Sequence, residues 1–270
     1  MNIKKLILIS LLLTTSLIAE VKEKWKINVG TMYVSKFETE LQWNRKGLPV
    51  GAKINTKDQL GLENETAVFR LDGYYRFTDT QKIEFSYFGV NSDSNRELDT
   101  EIEIDGNVIP AGARFKSYFD MKIYKLNYAY SFYHNDKVEL ALTAGLHVTQ
   151  IDVGYRAHIF VGNHQSQDDP KGSTSITAPL PVVGFEGQYS IIPKKLFINY
   201  EANYFYLTID DFAGAITSTS LKMEYRFYEN YGLGVGYNIN NIAVEKDDGK
   251  TKIDINNRLS GAVIYLSFTY

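Results

Sequence analysis

The sequence predicts an all-β fold: a transmembrane antiparallel up-and-down β-barrel of about ten strands, preceded by a cleavable signal peptide. Three observations predict it: an apolar leader, side-chain polarity that alternates with a period of two, and abundant tyrosine. Aromatic residues make up 14% of the chain, with 20 tyrosines, while the mean hydropathy is -0.24. Because a barrel strand shows only every second residue to lipid, this low hydropathy is compatible with a membrane barrel, and tyrosines form its interfacial girdles.

The amino end has the features of a secretory signal peptide. Lys4 and Lys5 precede an apolar run over residues 6–18, which ends at Ala19 before Glu20. The run is shorter than the roughly 18 apolar residues that a spanning helix requires. We therefore expect residues 1–19 to be removed. Residues 20–270 should form one barrel domain, since no linker or charge block divides them.

The mature charge and the absence of cysteine exclude several classes of protein. Without Lys4 and Lys5, the 29 basic residues fall to 27, against 32 acidic residues. This mild acidity gives no electrostatic footprint for nucleic acid. Because the chain has no cysteine, a disulfide framework, a thiolate metal site and a thiol nucleophile are all excluded.

The clearest strand pair spans residues 122–133 and 138–148. One face of the first strand is aromatic or apolar, and the other is polar or small. The first face has Tyr124, Leu126, Tyr128, Tyr130 and Phe132, and the second has Lys125, Asn127, Ala129 and Ser131. A polar turn at residues 134–137 leads into a second run with the same alternation. This arrangement predicts a β-hairpin.

The same design recurs along the whole chain. Three further hairpins are predicted over residues 67–87, 183–204 and 221–239, and single strands over residues 25–33 and 262–270 complete ten. Each strand is expected to be near the 9 to 11 residues that a tilted membrane strand needs. Four connections are short, whereas residues 37–65, 92–117 and 154–176 are long, polar and predicted to be outer loops, with a protruding hairpin in the second.

The carboxyl end resembles the terminal segment of Gram-negative outer-membrane barrels. A terminal aromatic residue is preceded by apolar residues at every second position, here Ile264, Leu266, Phe268 and Tyr270. In that family the segment is recognised by the barrel-insertion machinery, so the resemblance implies that partner and an outer-membrane location. The mature chain is also similar to an uncharacterised family of proteobacterial outer-membrane barrels with an Asp-x-Leu-Gly-Leu segment, here residues 58–62.

Charged residues on the polar faces define the predicted lumen. A charge facing lipid costs about 2–4 kcal/mol at the membrane midplane, so these residues are expected to point inward. The predicted lumen charge network is Arg70, Asp72, Arg76, Glu84, Lys125, Glu139, Glu186, Glu201, Lys222, Glu224 and Arg226. Five bases nearly balance six acids, which predicts pairing across a blocked lumen. The alternative is a narrow channel, favoured by inward Gly234 and Gly236.

An outer-membrane enzyme is the less favoured alternative. Omptin-type proteases are also ten-stranded and use Asp-x-Asp and Asp-x-His pairs, but neither spacing occurs in this sequence. The nearest substitutes are Asp210 with Asp211 in one outer loop, and His158, His164, Asp168 and Asp169 in another. Lipid-modifying barrels use a histidine and a serine, for which inward His147 is the candidate. A buried structural histidine is the simpler interpretation, so no catalytic residue is predicted.

Two further loop patterns have structural and functional interpretations. Acidic doublets at residues 168–169, 210–211 and 247–248 could attract Ca²⁺ or Mg²⁺, although solvated turns are the simpler and favoured explanation. Residues 47–52 and 108–113 share an apolar-Pro-x-Gly-Ala pattern that could form a shared cap or a partner-binding patch, and coincidence of turn residues explains it at least as well.

The function predicted from the sequence is a non-enzymatic outer-membrane barrel with a largely closed polar lumen and a structural or loop-mediated envelope role. A small pore is the alternative, and a surface protease or lipid hydrolase is less favoured. The expected partners are outer-membrane lipids, lipopolysaccharide and the insertion machinery. No cofactor, metal or nucleic acid is expected.

Overall fold

The computed structural model describes residues 23–45, 53–55, 66–104, 107–161, 164–165, 170–247 and 251–270. The predicted signal peptide, residues 47–52 and 58–62, and the acidic residues 168–169 and 248 lie outside this part of the chain. Within it, no helix is long and apolar enough to cross a membrane.

The described residues form fifteen strands. In chain order these are β1 (Trp25–Arg45), β2 (Lys53–Asn55), β3 (Thr66–Thr78), β4 (Gln81–Glu97), β5 (Ile102–Ile104), β6 (Asn107–Ile109), β7 (Arg114–His134), β8 (Val138–His158), β9 (Phe160–Val161), β10 (His164–Gln165), β11 (Lys171–Ile192), β12 (Leu196–Ile209), β13 (Phe212–Tyr228), β14 (Tyr231–Asp247) and β15 (Thr251–Thr269).

Ten of these strands close into a barrel. The order is β1, β3, β4, β7, β8, β11, β12, β13, β14 and β15, every neighbouring pair is antiparallel, and β15 pairs back onto β1. Strand β2 pairs with the upper part of β1, in the place that β3 holds lower down. The predicted up-and-down barrel of about ten strands is confirmed, and four short turns lie at the same end as both termini.

The seam between the first and last strands is long and continuous. It runs from Lys26 opposite Thr269 to Arg45 opposite Thr251, with one bulge near Val34. Reciprocal backbone hydrogen bonds of 2.8 and 2.9 Å join Trp25 and Tyr270. The sheet therefore has no free edge at this position, as a lipid environment requires.

The predicted strand lengths of 9 to 11 residues are wrong, because all ten barrel strands are longer, with 13 to 22 residues. Strands β1, β7 and β8 have 21 residues each, and β11 has 22. Much of the three stretches predicted as long loops is paired strand. A 21-residue strand extends about 70 Å along its own axis, roughly twice what the membrane needs. The barrel wall therefore continues well beyond the bilayer.

The lipid-facing belt occupies the half of the barrel nearer the short turns. Its outward side chains are large, apolar and exposed, among them Ile27, Val29, Phe69, Leu126, Leu142, Val183, Leu221, Val235, Ile264 and Leu266. Aromatic pairs lie at its two borders. Trp25 and Tyr75, 4.4 Å apart, lie near the short turns, whereas Tyr87 and Tyr124, 5.1 Å apart, lie at the far border. These are the interfacial girdles of a membrane barrel.

Above this belt, the polarity of the two faces inverts. On β7, Tyr124 to Phe132 show apolar side chains outward, but Phe119 and Met121 are buried inside while Lys116 and Asp120 lie on the outer side. The pairing between β4 and β7 runs through this point without a register shift. The inversion follows from a change of solvent outside the wall, from lipid to water.

A small hairpin stands between β4 and β7 at the upper end of the barrel. Strands β5 and β6 pair from Ile102 opposite Ile109 to Ile104 opposite Asn107. Leu98, Ile109 and Ala113 are buried in the same apolar cluster as the inward residues of β7. The predicted protruding hairpin is thus present, and its base is anchored by apolar contacts. Of the two similar loop segments, only this second one lies among the described residues.

The inward glycines do not widen the lumen. A Cβ atom at Gly234 would overlap the ring of Tyr265, which lies across it from the neighbouring strand. A Cβ atom at Gly236 would approach the side-chain stem of Lys222. Glycine here lets a larger neighbouring side chain fold flat against the wall, a recognised packing device in sheets.

We expect Gly234→Ala to destabilise the barrel by about 1–3 kcal/mol, because the added methyl group overpacks against the Tyr265 ring. Urea unfolding in lipid vesicles measures the change. Gly187→Ala is the matched control, since a Cβ atom there meets nothing nearer than 3.5 Å. In the Tyr265→Ala background the added methyl group has no ring to overlap. The double variant Gly234→Ala/Tyr265→Ala should therefore have the same free energy of unfolding as Tyr265→Ala alone. Equal effects at Gly234 and Gly187 would contradict this packing account.

Candidate functional site

The candidate site is the barrel interior, which has two layers. The lower layer is charged and lies at the height of the lipid-facing belt. The upper layer is apolar and lies within the part of the wall that extends beyond the belt. All eleven charged residues predicted for the lumen lie on the inner face of the barrel.

The first charged cluster is centred on Asp72 of β3. Its carboxylate accepts hydrogen bonds from Arg70 Nε at 2.8 Å, Asn28 Nδ2 at 2.8 Å and Lys222 Nζ at 3.1 Å. Lys222 belongs to β13, which is separated from β3 by three strands. The contact therefore crosses the lumen.

A second cluster joins β3 to β8 near the short turns. Arg76 Nη2 donates to both carboxylate oxygens of Glu139, at 2.8 and 2.9 Å. The Ser131 hydroxyl donates to the same carboxylate, and His134 Nδ1 lies 3.8 Å from it. Charge-assisted pairs of this kind are stronger than neutral hydrogen bonds.

Two lysines form the centre of the remaining cross-lumen contacts. Lys82 Nζ lies 2.9 Å from Glu84 and 2.8 Å from Glu186 of β11. Lys125 Nζ lies 3.3 Å from Glu201 of β12 and 3.0 Å from the Ser218 hydroxyl of β13. Both lysines reach strands that do not neighbour their own.

A further cluster gathers around Glu224 of β13, which is fully buried. Lys26 Nζ lies 2.6 Å and Arg226 Nε 3.2 Å from its carboxylate, and the Tyr265 hydroxyl donates to it at 3.2 Å. Arg226 also pairs with Glu23, which precedes β1. The amino end of the described chain is thereby attached to β13, three strands away from β1 around the ring.

Sequence reasoning missed Lys26, Lys82 and Glu23. Lys26 shares its strand face with inward Asn28, and Lys82 shares its face with Glu84, so alternation alone would have found both. Adding these two bases to the five predicted, and Glu23 to the six acids, gives seven of each sign. The charged layer is therefore balanced.

A small cavity lies within the charged layer. Its volume is about 130 Å³, and its lining includes Asp72, Lys82, Glu186, Lys222 and Tyr265. Ligand pockets usually measure about 300–1,000 Å³. The cavity has room for water but is small for an organic ligand.

The apolar plug is the set of buried apolar side chains that fill the upper lumen. Its largest members are Met32, Phe37, Phe88, Phe115, Phe119, Met121, Ile123, Leu180, Ile216, Ile255 and Leu259, each at most 1% exposed. Phe37 and Phe119, from β1 and β7, meet edge to face at 5.1 Å. Side chains from strands that are not neighbours thus meet inside the lumen.

His147 lies inward between the two layers and is fully buried. Its neighbours in register are Lys125 and Leu180, and neither ring nitrogen has a hydrogen-bond partner in the described part of the molecule. The imidazole therefore forms no dyad with a serine hydroxyl there. Its position inside the barrel also separates it from lipid outside the wall.

The protease candidates are spread over different strands. Asp210 and Asp211 form the two-residue turn between β12 and β13, where Asp210 adopts a φ of 49°. His158 ends β8, two strands away around the barrel. Asparagine and aspartate tolerate this left-handed backbone better than most residues, so turn geometry accounts for Asp210. Within the described ranges, no group of three or more acidic or histidine side chains could hold a metal ion.

Comparisons with known proteins give matches in structure and none in sequence. No protein-family model and no curated protein matches the sequence. The outer membrane protease OmpT of Escherichia coli is similar in structure, with a TM-score of 0.56 and 12% identity, covering 91% of this chain and 97% of that one. The toluene transporter TodX of Pseudomonas putida aligns with a TM-score of 0.35 and 9% identity, covering 92% of this chain and 90% of that one. The attachment invasion locus protein Ail of Yersinia pestis aligns with a TM-score of 0.28 and 11% identity, covering 90% of this chain and 99% of that one.

The closed barrel, its apolar belt and its aromatic girdles define an integral membrane protein, and the fold is that of Gram-negative outer-membrane barrels. The predicted location in the outer membrane is thereby confirmed. The comparison at 12% identity concerns the fold alone.

We expect replacement of one partner of the Arg76–Glu139 pair to be more harmful than replacement of both. Glu139→Leu alone leaves a buried guanidinium without its carboxylate and should cost about 3–5 kcal/mol. The double variant Arg76→Leu/Glu139→Leu should cost less than either single change. Urea unfolding in vesicles gives the free energies for this double-mutant cycle.

The matched control for this cycle is the exposed pair Lys36–Glu38, 3.2 Å apart. Lys36→Leu should cost less than about 1 kcal/mol, since surface pairs contribute little. Additive costs for Arg76→Leu and Glu139→Leu would show that the two side chains are not coupled.

Proposed function

We propose that this protein is a non-enzymatic outer-membrane barrel with a closed lumen, and that it acts in the envelope through its outward wall and loops. The observation that carries the proposal is the apolar plug. Its side chains are as buried as those of a soluble protein core, and such interiors pack with few voids larger than a water molecule. A hydrated solute has no path through such a layer.

The charged layer supports the same proposal. Pairs such as Lys82 with Glu186 and Lys222 with Asp72 join strands on different sides of the lumen. An ion crossing this layer would have to displace several such contacts at once. The two layers close the barrel by different means, one through charge pairing and the other through apolar packing.

The height of the wall supports a role for the outer surface. The strands continue past the lipid belt with polar side chains outward, and the hairpin of β5 and β6 is held down by Leu98 and Ile109. A rigid, water-exposed wall of this kind presents a fixed surface to other envelope molecules. Binding surfaces are commonly built on such rigid scaffolds.

Partners within the envelope are part of the proposal. Ile264, Leu266 and Phe268 alternate along the lipid face of β15, and Tyr270 is largely exposed at its end. This pattern supports recognition of the carboxyl end by the insertion machinery. Outer-membrane lipids contact the belt, and lipopolysaccharide surrounds its outer border.

We expect the purified protein, reconstituted in planar bilayers, to show no steady single-channel openings. A porin inserted in the same bilayers is the control that shows open pores are detected. Mobility on unheated gels, compared with boiled samples, verifies that the reconstituted protein is folded. Reproducible openings of uniform conductance from the folded wild-type protein would overturn the closed lumen.

We also expect no hydrolysis of peptides or phospholipids above a protein-free blank, because the described candidates are buried or lie apart. His147→Ala and Asp210→Ala are the comparison variants. Turnover by the wild-type protein that either substitution abolishes would instead favour a surface enzyme.

A further inference from the structure

Three basic side chains lie side by side on the outer face of the barrel wall, above the lipid-facing belt. Lys116 of β7 lies opposite Arg156 of β8, and Arg156 lies opposite Lys171 of β11. All three side chains are exposed, while Phe115 and Ala157, their chain neighbours, are buried inside. We call these three residues the basic row.

The basic row is electrostatically unfavourable by itself. Like charges placed directly opposite each other on neighbouring strands destabilise a sheet. In the described part of the chain, none of the three forms an ion pair, although Asp93 and Glu97 lie on the adjacent strand β4. By contrast, two lysines elsewhere on the outer wall, exposed Lys36 and half-buried Lys122, pair with Glu38 at 3.2 Å and Asp120 at 3.1 Å. A bound polyanion would relieve the repulsion within the row.

A groove follows the basic row along the wall. It has a volume of about 520 Å³, and its lining includes the three cations, Tyr118 and Ser173. Tyr118 lies opposite Gly154, where a Cβ atom would come within 2.5 Å of the ring, so glycine allows the ring to lie across the wall. Tyr118 is 46% exposed. Its free face suits the C–H surface of a sugar ring, and Ser173 offers a hydroxyl group for hydrogen bonding.

The height of the groove separates it from lipid headgroups. Lys116 lies eight residues beyond Tyr124, the outermost belt aromatic of β7. At about 3.3 Å per residue and a strand tilt of about 40°, the basic row lies roughly 20 Å above the belt. Headgroup phosphates lie at the belt border, so a ligand at this height must extend into the aqueous layer.

We infer that the basic row and Tyr118 bind a sulfated polysaccharide from outside the cell. Neighbouring strands are about 4.8 Å apart, so the three cations form a line of about 10 Å along which the acidic groups of a linear polyanion can be distributed. Sulfate groups stay ionised at any physiological pH. The inference rests on the proposed role of the outward wall and does not depend on whether the lumen conducts.

The test uses the mature protein folded in detergent without lipopolysaccharide. A heparin-derived hexasaccharide is the sulfated probe, and its desulfated form and purified lipopolysaccharide are the comparison probes. The wild type should bind the sulfated probe in a salt-sensitive manner and bind the desulfated probe at least tenfold more weakly. Lys116→Gln/Arg156→Gln/Lys171→Gln should lower the affinity at least tenfold, and Tyr118→Ala severalfold.

The matched control is Lys36→Gln/Lys246→Gln/Arg258→Gln, which removes three exposed positive charges from other strands. It should retain affinity within about threefold of the wild type, and gel mobility before boiling verifies folding of every variant. Equal losses of affinity in the two triple variants would show that binding depends only on the net charge of the protein, and would overturn the proposed site. Binding of lipopolysaccharide without binding of the sulfated probe would also overturn it. Because this readout is independent of conductance, failure of the site and failure of the closed lumen are distinguishable.

Discussion

Closure of the backbone hydrogen bonds in lipid is the constraint on which the rest of the structure depends. No water is available in the hydrocarbon layer, so every strand needs two neighbours there, and the seam between β1 and β15 provides the last pair. Closing the ring also brings distant segments face to face. Contacts such as Lys82 with Glu186, 104 residues apart in the chain, exist only because the ring is closed.

The polarity of the side chains then depends on what lies outside the wall. Within the bilayer the outer face must be apolar, and the charged residues turn inward and pair. Above it the outer face meets water, and the inner face becomes an apolar core in which Phe37 meets Phe119. The charged lower layer and the apolar upper layer of the lumen therefore have the same cause, which is the solvent outside the wall. That solvent is lipid within the bilayer and water above it.

The sequence permits prediction of the lower half far better than of the upper half. From Tyr124 to Phe132 every outward residue is apolar, as lipid demands, and alternation is clear. In residues 92–97 of β4 every side chain is polar or charged, so this strand has the composition of a loop. Membership of the charged layer follows from alternation, as Lys26 and Lys82 show. Which pairs meet across the lumen depends on the stagger of the closed ring, which local patterns do not encode.

The inversion of polarity also gives the two halves different thermodynamics. Unfolding the outer half transfers Phe88, Phe119 and Met121 from a packed interior into water, which raises the heat capacity as in a soluble protein. The lower half has its apolar faces in lipid already. The same strands therefore join an outer half, whose apolar core stabilises the fold less strongly on cooling, to a lower half whose stability depends on the bilayer. Temperature acts on the two halves in different ways.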